Sequence, residues 1–317
     1  MFDVIALGES LIDFSPVSTD EYGYPTMAAH PGGAPANYLA ALSKYGAKTA
    51  MIGKVGDDAF GRLLLKTMDE VGISTKGMIA DPGFFTTLAF VTLGENGARD
   101  FSFARKPGAD TKLSFDEINL SMLDDCRVLH IGTLSLTDEP IADATKKLVA
   151  YAKEKGTLIS CDPNLRKPLW DSLDRAKDAM LYAMGQADII KISDDEVDFL
   201  WGIKADEDAA RMVLEKTGAR LVFVTCGAKG VYFANAKTEG FVPALSGVKP
   251  VDTTGAGDIF GGSAAWRFLE ENTAPEELER NQIEEIVRFA ATAAGLSTEK
   301  FGGISSVPEY EDVMKIL

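Results

Sequence analysis

The sequence predicts an α/β protein: a largely parallel sheet covered by helices on both faces, with a smaller sheet standing off it. Three observations carry that expectation. Short apolar, β-branched runs alternate with amphipathic helical stretches along most of the 317 residues, and repeated strand–helix–strand units pair their strands in parallel. Two segments, residues 14–31 and 84–107, break the rhythm. The 46% hydrophobic content suffices for a sizeable core at this length.

The elements follow in order. "DVIALGES" (residues 3–10) is an apolar run closed by glycine and reads as a buried strand. "GGAPANYLAALSKYG" (32–46) is a helix entered from glycines and stopped by Gly46. "KTAMIGKVG" (48–56) is a strand, and "DDAFGRLLLKTMDEVG" (57–72) a helix with acids at its start and Gly72 at its end. The alternation resumes with strand "RVLHIG" (127–132), helix "EPIADATKKLVAYAKEKG" (139–156), strand "TLISCDPN" (157–164) and helix "SLDRAKDAMLYAMGQA" (172–187). Strand "DIIKIS" (188–193), helix "DEDAARMVLEKTGA" (206–219) and strand "RLVFVTCG" (220–227) complete it. Of the two exceptions, residues 14–31 are turn-rich and polar, and residues 84–107 alternate around "GENG", a hairpin signature. They are read as two arms of one small sheet.

Composition excludes several classes of function. The formal charge of −16, with no basic stripe, disfavours nucleic acid. No run approaches a membrane span, and the N-terminus lacks a basic region and cleavage site, so the expected location is cytoplasmic. Cys126, Cys161 and Cys226 lie far apart, which suggests neither disulfides nor a thiolate metal site. With only His30 and His130 present, a carboxylate is the expected base of any enzyme built on this chain. His30 is expected in a structural turn and His130 as a satisfied strand histidine.

The chemistry concentrates in "VDTTGAGDIFGG", residues 251–262. Gly255 and Gly257 allow close backbone approach to a ligand, and a helix starting near Asp258 points its unpaired N–H groups at that ligand. The N–H groups of Gly255, Ala256 and Gly257 form an anion hole, and Asp258 beside it is placed to take a proton from an attacking hydroxyl. A second turn, "HPGGAPAN" (30–37), sets Gly32 and Gly33 before a helix with Asn37 one turn inside, suited to a polyol.

Together the two motifs, in this order and with the hairpin between them, resemble the ribokinase-like carbohydrate kinases of the PfkB family over nearly the whole chain. The resemblance implies a three-layer, doubly wound, mainly parallel α/β domain from residues 1–13, 32–83 and 108–317. It also implies a β-sheet lid from 14–31 and 84–107 that closes over a sugar. It makes Asp258 the catalytic base, and Asp13, Gly32, Gly33 and Asn37 partners of sugar hydroxyls. "KISDDE" (191–196) resembles the family's Asn-x-x-Glu motif with Ser193 in place of Asn: Lys191 and Ser193 then face the nucleotide, and Glu196 a magnesium ion through water. Ser193 and Glu196 read equally well as a helix capping box. "VTCGAKG" (224–230) resembles the nucleotide loop, with Thr225, Gly227 and Gly230 near ribose and phosphates. Asp252 and Thr254 match two ligands of a monovalent cation site, completed by backbone carbonyls around Ser297–Ser306.

"DFSFARKPGAD" (100–110) and "DPNLRKPLW" (162–170) most resemble fructokinases, with Arg105 from the lid and Arg166 from a strand end directed at substrate. The implied reaction is transfer of phosphate from ATP to the 6-hydroxyl of D-fructose, with Mg2+ and optionally K+. The nearer alternative is a 2-keto-3-deoxygluconate kinase and the more distant one a non-catalytic sugar sensor. A dinucleotide-dependent dehydrogenase is disfavoured because "GESLID" stands where G-x-G-x-x-G belongs. Phe14, Phe84, Phe101 and Phe103 are expected to pack against a second subunit, giving a homodimer through the lid.

Overall fold

The computed structural model describes residues 1–93 and 99–317; of residues 92, 93 and 99–101 only the backbone is described. The expected "GENG" turn and the Phe101 side chain therefore lie outside the described residues.

The chain begins with β1 (Val4–Leu7), the hairpin β2 (Leu11–Thr19) and β3 (Pro25–Gly32), and α1 (Ala34–Lys44). β4 (Thr49–Gly56), α2 (Ala59–Glu70) and β5 (Ile73–Asp81) follow, then the antiparallel pair β6 (Leu88–Leu93) and β7 (Arg99–Ala104). β8 (Val128–Gly132), α3 (Ile141–Glu154), β9 (Leu158–Asp162), α4 (Leu173–Gln186) and β10 (Ile189–Ser193) continue the alternation. The rest is α5 (Asp194–Trp201), α6 (Ala209–Thr217), β11 (Leu221–Thr225), β12 (Gly230–Asn235), β13 (Glu239–Pro243), α7 (Ala256–Glu271), α8 (Arg280–Ser297) and α9 (Tyr310–Met314).

Nine strands form the main sheet in the order β13-β12-β11-β10-β9-β8-β1-β4-β5. All pairs are parallel except β11–β12 and β12–β13. Because both faces are covered, central strands are apolar throughout: in β1, Ile5 and Leu7 enter the core shared with α3, α4 and α6, while Val4 and Ala6 enter the one shared with α1, α7 and α8. This is the three-layer arrangement the alternation predicts. The β12–β13 edge, β5, α5, α8 and α9 go beyond it. In β5 only Ile73 is fully buried and the remaining residues are half-buried or exposed in no regular alternation, so no clear period of two marks the strand in the sequence. Among the described residues no helix is long and apolar enough to cross a membrane.

The second sheet has the order β3-β2-β6-β7, and here β2 and β6 run parallel. β2 starts at Leu11, so Asp13 belongs to this sheet and stands opposite His30, which is a strand residue of β3 and not a turn residue. The root of the sheet packs on the main domain through Ile12, Val55 and Leu64. Phe14 is covered within the chain, stacked on Phe90 at 5.2 Å and edge-on to Phe60 at 5.6 Å. Phe103 lines a cleft and Phe84 lies against the Lys112 ammonium, so the described aromatics expected at a subunit contact are largely engaged within one chain.

Polar clamps fix the chain where it passes between the sheets. Asp58 caps α2 through the Phe60 and Gly61 N–H groups, and also accepts from the Thr86 N–H and hydroxyl. Asp110 accepts from Thr87 Oγ1 at 2.5 Å and from Arg105 Nε at 2.7 Å. Arg105 also donates to Thr137 Oγ1 (2.7 Å) and the Leu134 carbonyl (2.9 Å). This corrects the expected placement of Arg105. The strand ends at Ala104, and Arg105 starts the return to the main domain, buried among these partners and outside the cleft lining.

Arg105→Ala therefore leaves Asp110 buried without its cation. It is expected to cost about 3–5 kcal/mol, read as a lowered urea midpoint at unchanged slope; a midpoint within error of wild type would remove the clamp.

Candidate active site

The site sits at the carboxyl ends of the strands, in a cleft of about 850 Å3 between the two sheets. Its central geometry depends on how closely α1 and α7 approach. A Cβ on Gly262 would stand 2.1 Å from the Tyr38 carbonyl oxygen, and one on Gly261 would stand 3.2 Å from the Tyr38 ring. Only glycine permits this contact, and it brings Asn37 of α1 onto Asp258 in the first turn of α7, with Asn37 Nδ2 donating to Asp258 Oδ2 at 2.9 Å.

Asp258 is 9% exposed and faces the cleft. Burial pushes its carboxyl up to about 6 and Asp162 adds to the rise, while the Asn37 hydrogen bond, Lys191 and Arg166 pull it back. That places a proton acceptor close to neutral pH. Gly255 is the N-cap of α7 at φ 76°, and no side chain caps the helix. The Ala256 N–H donates to the Thr253 carbonyl at 3.3 Å, and a helix start of this kind leaves its remaining first-turn N–H groups without intrahelical acceptors.

The second glycine turn serves the same end. Gly33, at φ 109°, is the N-cap of α1, and a Cβ there would come within 2.5 Å of the Glu9 carbonyl oxygen. A Cβ on Gly32 would stand 2.5 Å from Asp13 Oδ2. Burial pushes Asp13 up to about 7, against the pull of Arg166. Arg166 lines the cleft as expected, half-buried. The Asn37 Oδ1 atom is buried and has no hydrogen-bond partner among the described residues, an open acceptor beside Asp258.

Glu196 lines the cleft with both carboxylate oxygens engaged: Oε1 accepts the Leu165 N–H at 2.7 Å, and Oε2 accepts the Ser193 N–H at 2.9 Å and hydroxyl at 2.8 Å. The capping box thus exists, on the residues matched to the metal motif. Among the described residues, no three His, Cys, Asp or Glu side chains group as metal ligands. Asp252 Oδ1 accepts from the Thr254 N–H (2.9 Å) and hydroxyl (2.7 Å), and its Oδ2 accepts from the Gly302 N–H (3.0 Å). Asp252 thereby ties the loop before α7 to the segment expected to complete the cation site.

Thr225, Gly227 and Gly230 lie outside the cleft lining. Gly230 has a packing reason, since a Cβ would stand 2.3 Å from the Val242 carbonyl oxygen, whereas Gly227 opens onto empty space. His130 is a satisfied strand histidine as expected: it stacks on Tyr38 at 3.7 Å, meets Ser160 Oγ at 3.1 Å, and burial pushes it down to about 3.

The sequence reading did not single out Glu9, Asp162 or Asn164, all of which line the cleft, and Phe103, expected at a subunit contact, lines it with them. Glu9 accepts the Ala34 N–H at 3.1 Å, and burial pushes it up to about 7. Asp162 pairs with Lys191 at 2.9 Å and accepts the Asn164 N–H at 3.2 Å, with Asn164 at φ 49°. The available signal was positional, an acid at the end of an apolar strand in "IALGE" and "LISCD".

The pfkB family carbohydrate kinase model matches residues 1–310. The chain belongs to the pfkB family of carbohydrate kinases. It is 39% identical over 318 aligned residues to fructokinase-1 of Zea mays, covering 99% of this chain and 97% of that protein. The crystal structure of fructokinase from Xylella fastidiosa with bound ATP superposes with TM-score 0.90 at 29% identity and covers 100% of this chain and 98% of that one. A double mutant of Vibrio cholerae fructokinase with bound fructose, ADP and potassium gives TM-score 0.87 at 29% identity, with the same coverage.

A kinase that used Asp258 as its base would lose activity when that carboxyl is protonated. Because the folded-state carboxyl of Asp258 is raised, kcat/KM is expected to fall as pH drops below about 6 and to level off above it. A profile flat down to pH ~4.5, near the ordinary carboxylate value, would exclude Asp258 as the titrating group.

Proposed function

We propose that this protein is an ATP-dependent fructokinase, transferring the γ-phosphoryl group of ATP to the 6-hydroxyl of D-fructose. One observation carries the reading: a cleft-facing carboxylate with a raised pKa in the first turn of an uncapped helix, in a chain whose relatives are fructokinases. Asp258 takes the hydroxyl proton as the sugar oxygen bonds to phosphorus. The bond from phosphorus to the bridging oxygen breaks, and ADP departs with that oxygen. The N–H groups of the Gly255–Gly257 turn hold the phosphoryl oxygens. Asp13, Asn37, the Gly32–Gly33 turn and Arg166 hold the sugar, and Ser193 with Thr225 and Gly227 face the nucleotide.

Mg2+ fits this donor set, because it keeps several waters and needs few protein ligands when phosphates supply the rest. Glu196 would hold its water shell, and the ion would neutralise charge on the phosphates. The oxygens around Asp252 and Thr254 suit K+. A sensor role is disfavoured, since binding alone has no use for a raised-pKa carboxylate. In the cytoplasm, the expected location, we propose a homodimer through the small sheet. Among the described residues its exposed large apolar side chains are Val17, Tyr22 and Tyr24, the last two tilted against each other with ring centroids 6.3 Å apart; sedimentation equilibrium giving one-chain mass at all concentrations would reject the dimer.

A panel of sugars with ATP and Mg2+, followed by ADP release, tests the function. Fructose is expected as the best acceptor, with Asp258→Asn lowering kcat about 10²–10⁴-fold and KM for fructose changing little. Preference for 2-keto-3-deoxygluconate would move the protein to that kinase class. In the same assay, Glu196→Gln is expected to raise the magnesium needed for half-maximal rate. A lowered melting temperature with an unchanged magnesium titration would leave Glu196 as a helix cap alone.

A further inference from the structure

The kinase reading gives no role to Asp162. It ends β9, next to β10, and its Oδ2 takes the Lys191 ammonium at 2.9 Å while its Oδ1 takes the Asn164 N–H at 3.2 Å. The carboxylate is thus fixed from two sides, while the cation sits at the end of a four-carbon stem. Both side chains are nearly buried, at 8% and 13% exposure. A buried ion pair of this kind is seldom a net source of stability, which calls for another reason for its presence.

Two further observations supply one. A Cβ on Gly257 would stand 2.8 Å from Lys191 Nζ, so the ammonium lies against the first turn of α7, where the phosphoryl oxygens are proposed to bind. Beside the pair is a small cavity of about 20 Å3, which Asp162 and Lys191 share with Tyr38, His130 and Ser160. That cavity has room for about one water. His130 is neutral there, and among the described residues Asp162 is the one anionic group lining the cavity. The cleft is the direction in which the cation can find other anions.

We propose that Asp162 is a positioning residue for phosphoryl transfer: it holds the Lys191 ammonium at the mouth of α7 and yields it to the phosphoryl oxygens as they gain charge. The inference rests on the kinase reading. No proton moves at Lys191, and the cation shifts from one set of oxygens to another. The charged groups facing Asp258 are Asp162 and Asp13 on the acidic side and Lys191 and Arg166 on the basic side. Glu196 adds to the field on Lys191. With Asp162 neutral, Lys191 acts unopposed on Asp258 and favours its charged form; with Lys191 neutral, Asp162 acts unopposed and disfavours it.

The test compares Asp162→Asn, Asp162→Glu and Lys191→Met in the full-length protein. Both Asp162→Asn and Lys191→Met are expected to lower kcat about ten- to hundredfold with little change in KM for fructose. The acid limb of the pH profile moves to lower pH in Asp162→Asn and to higher pH in Lys191→Met. Asp162→Glu restores most of the rate. Carbon-detected NMR titration of Asp258 in the ligand-free variants reads the same opposed shifts without turnover, so it decides the inference even if the sugar is misassigned. Wild-type kcat and an unmoved limb in Asp162→Asn, or shifts of the same sign in the two variants, would overturn it. If the wild type transferred phosphate to no sugar, the kinase reading would fall, and the NMR shifts would still report on the pair. Should Asp162→Asn fail to fold, Lys191→Met and Asp162→Glu still decide it: Lys191→Met must move the limb upward, and Asp162→Glu must keep it near wild type.

Discussion

The close contact between α1 and α7 is the constraint on which the site depends. With Gly262 pressed on the Tyr38 carbonyl, the helices approach nearer than any side chain would allow, and Asn37 meets Asp258 across the gap. The same contact removes Asp258 from water, which raises its affinity for a proton. Packing and chemistry are therefore one problem here. A wider helix pair would leave the aspartate solvated, and a carboxylate at its ordinary pKa is a poor base at neutral pH.

The cleft then has to admit an anionic nucleotide into an acidic protein. Glu9, Asp13, Asp162 and Asp258 line it against two buried or half-buried cations, Lys191 and Arg166. Burial holds Glu9 and Asp13 near neutrality, which reduces the negative charge the phosphates would meet. Much of the attraction has to come from oriented backbone, the open first turn of α7, where the dipoles are fixed before any ligand arrives. An array of lysines could attract the nucleotide too, but it would also stabilise the aspartate's charge and weaken the base.

Much of this was legible in the sequence, because glycine before a helix has a physical meaning wherever it occurs. Gly33, Asn37, Gly255 and Asp258 were readable for that reason, and the strand–helix alternation gave the layers and most of the main sheet. Arg105 was misread for an equally physical reason. Alternation put it on the face of Phe103, but parity means nothing past the end of a strand, and β7 stops at Ala104. Phe14 and Phe103 looked like subunit-contact residues because the sequence does not say which neighbours a sheet face meets. Glu9 and Asp162 were missed because a lone acid after an apolar strand carries no pattern; only the fold reveals that both end in one cleft. Ser193 and Glu196 form the capping box that their spacing suggests, and both also line the cleft, because one carboxylate can cap a helix and still face it.

What the main sheet gives the site comes from one rim, the rim where its strands end, and the small sheet adds Asp13 and Phe103. The opposite rim, where helices hand the chain back to strands, contributes nothing to the site. Its turns at Gly46, Gly156 and Gly218 have nothing within 4 Å of where a side chain would begin, so they are bare loops over solvent. The molecule is thus divided into a face bound by chemistry and a face that is sterically open. Peptide tags, fluorophores or whole inserted domains can be carried at the second rim without touching the first, which makes these turns natural points for grafting and for tethering the protein to a surface.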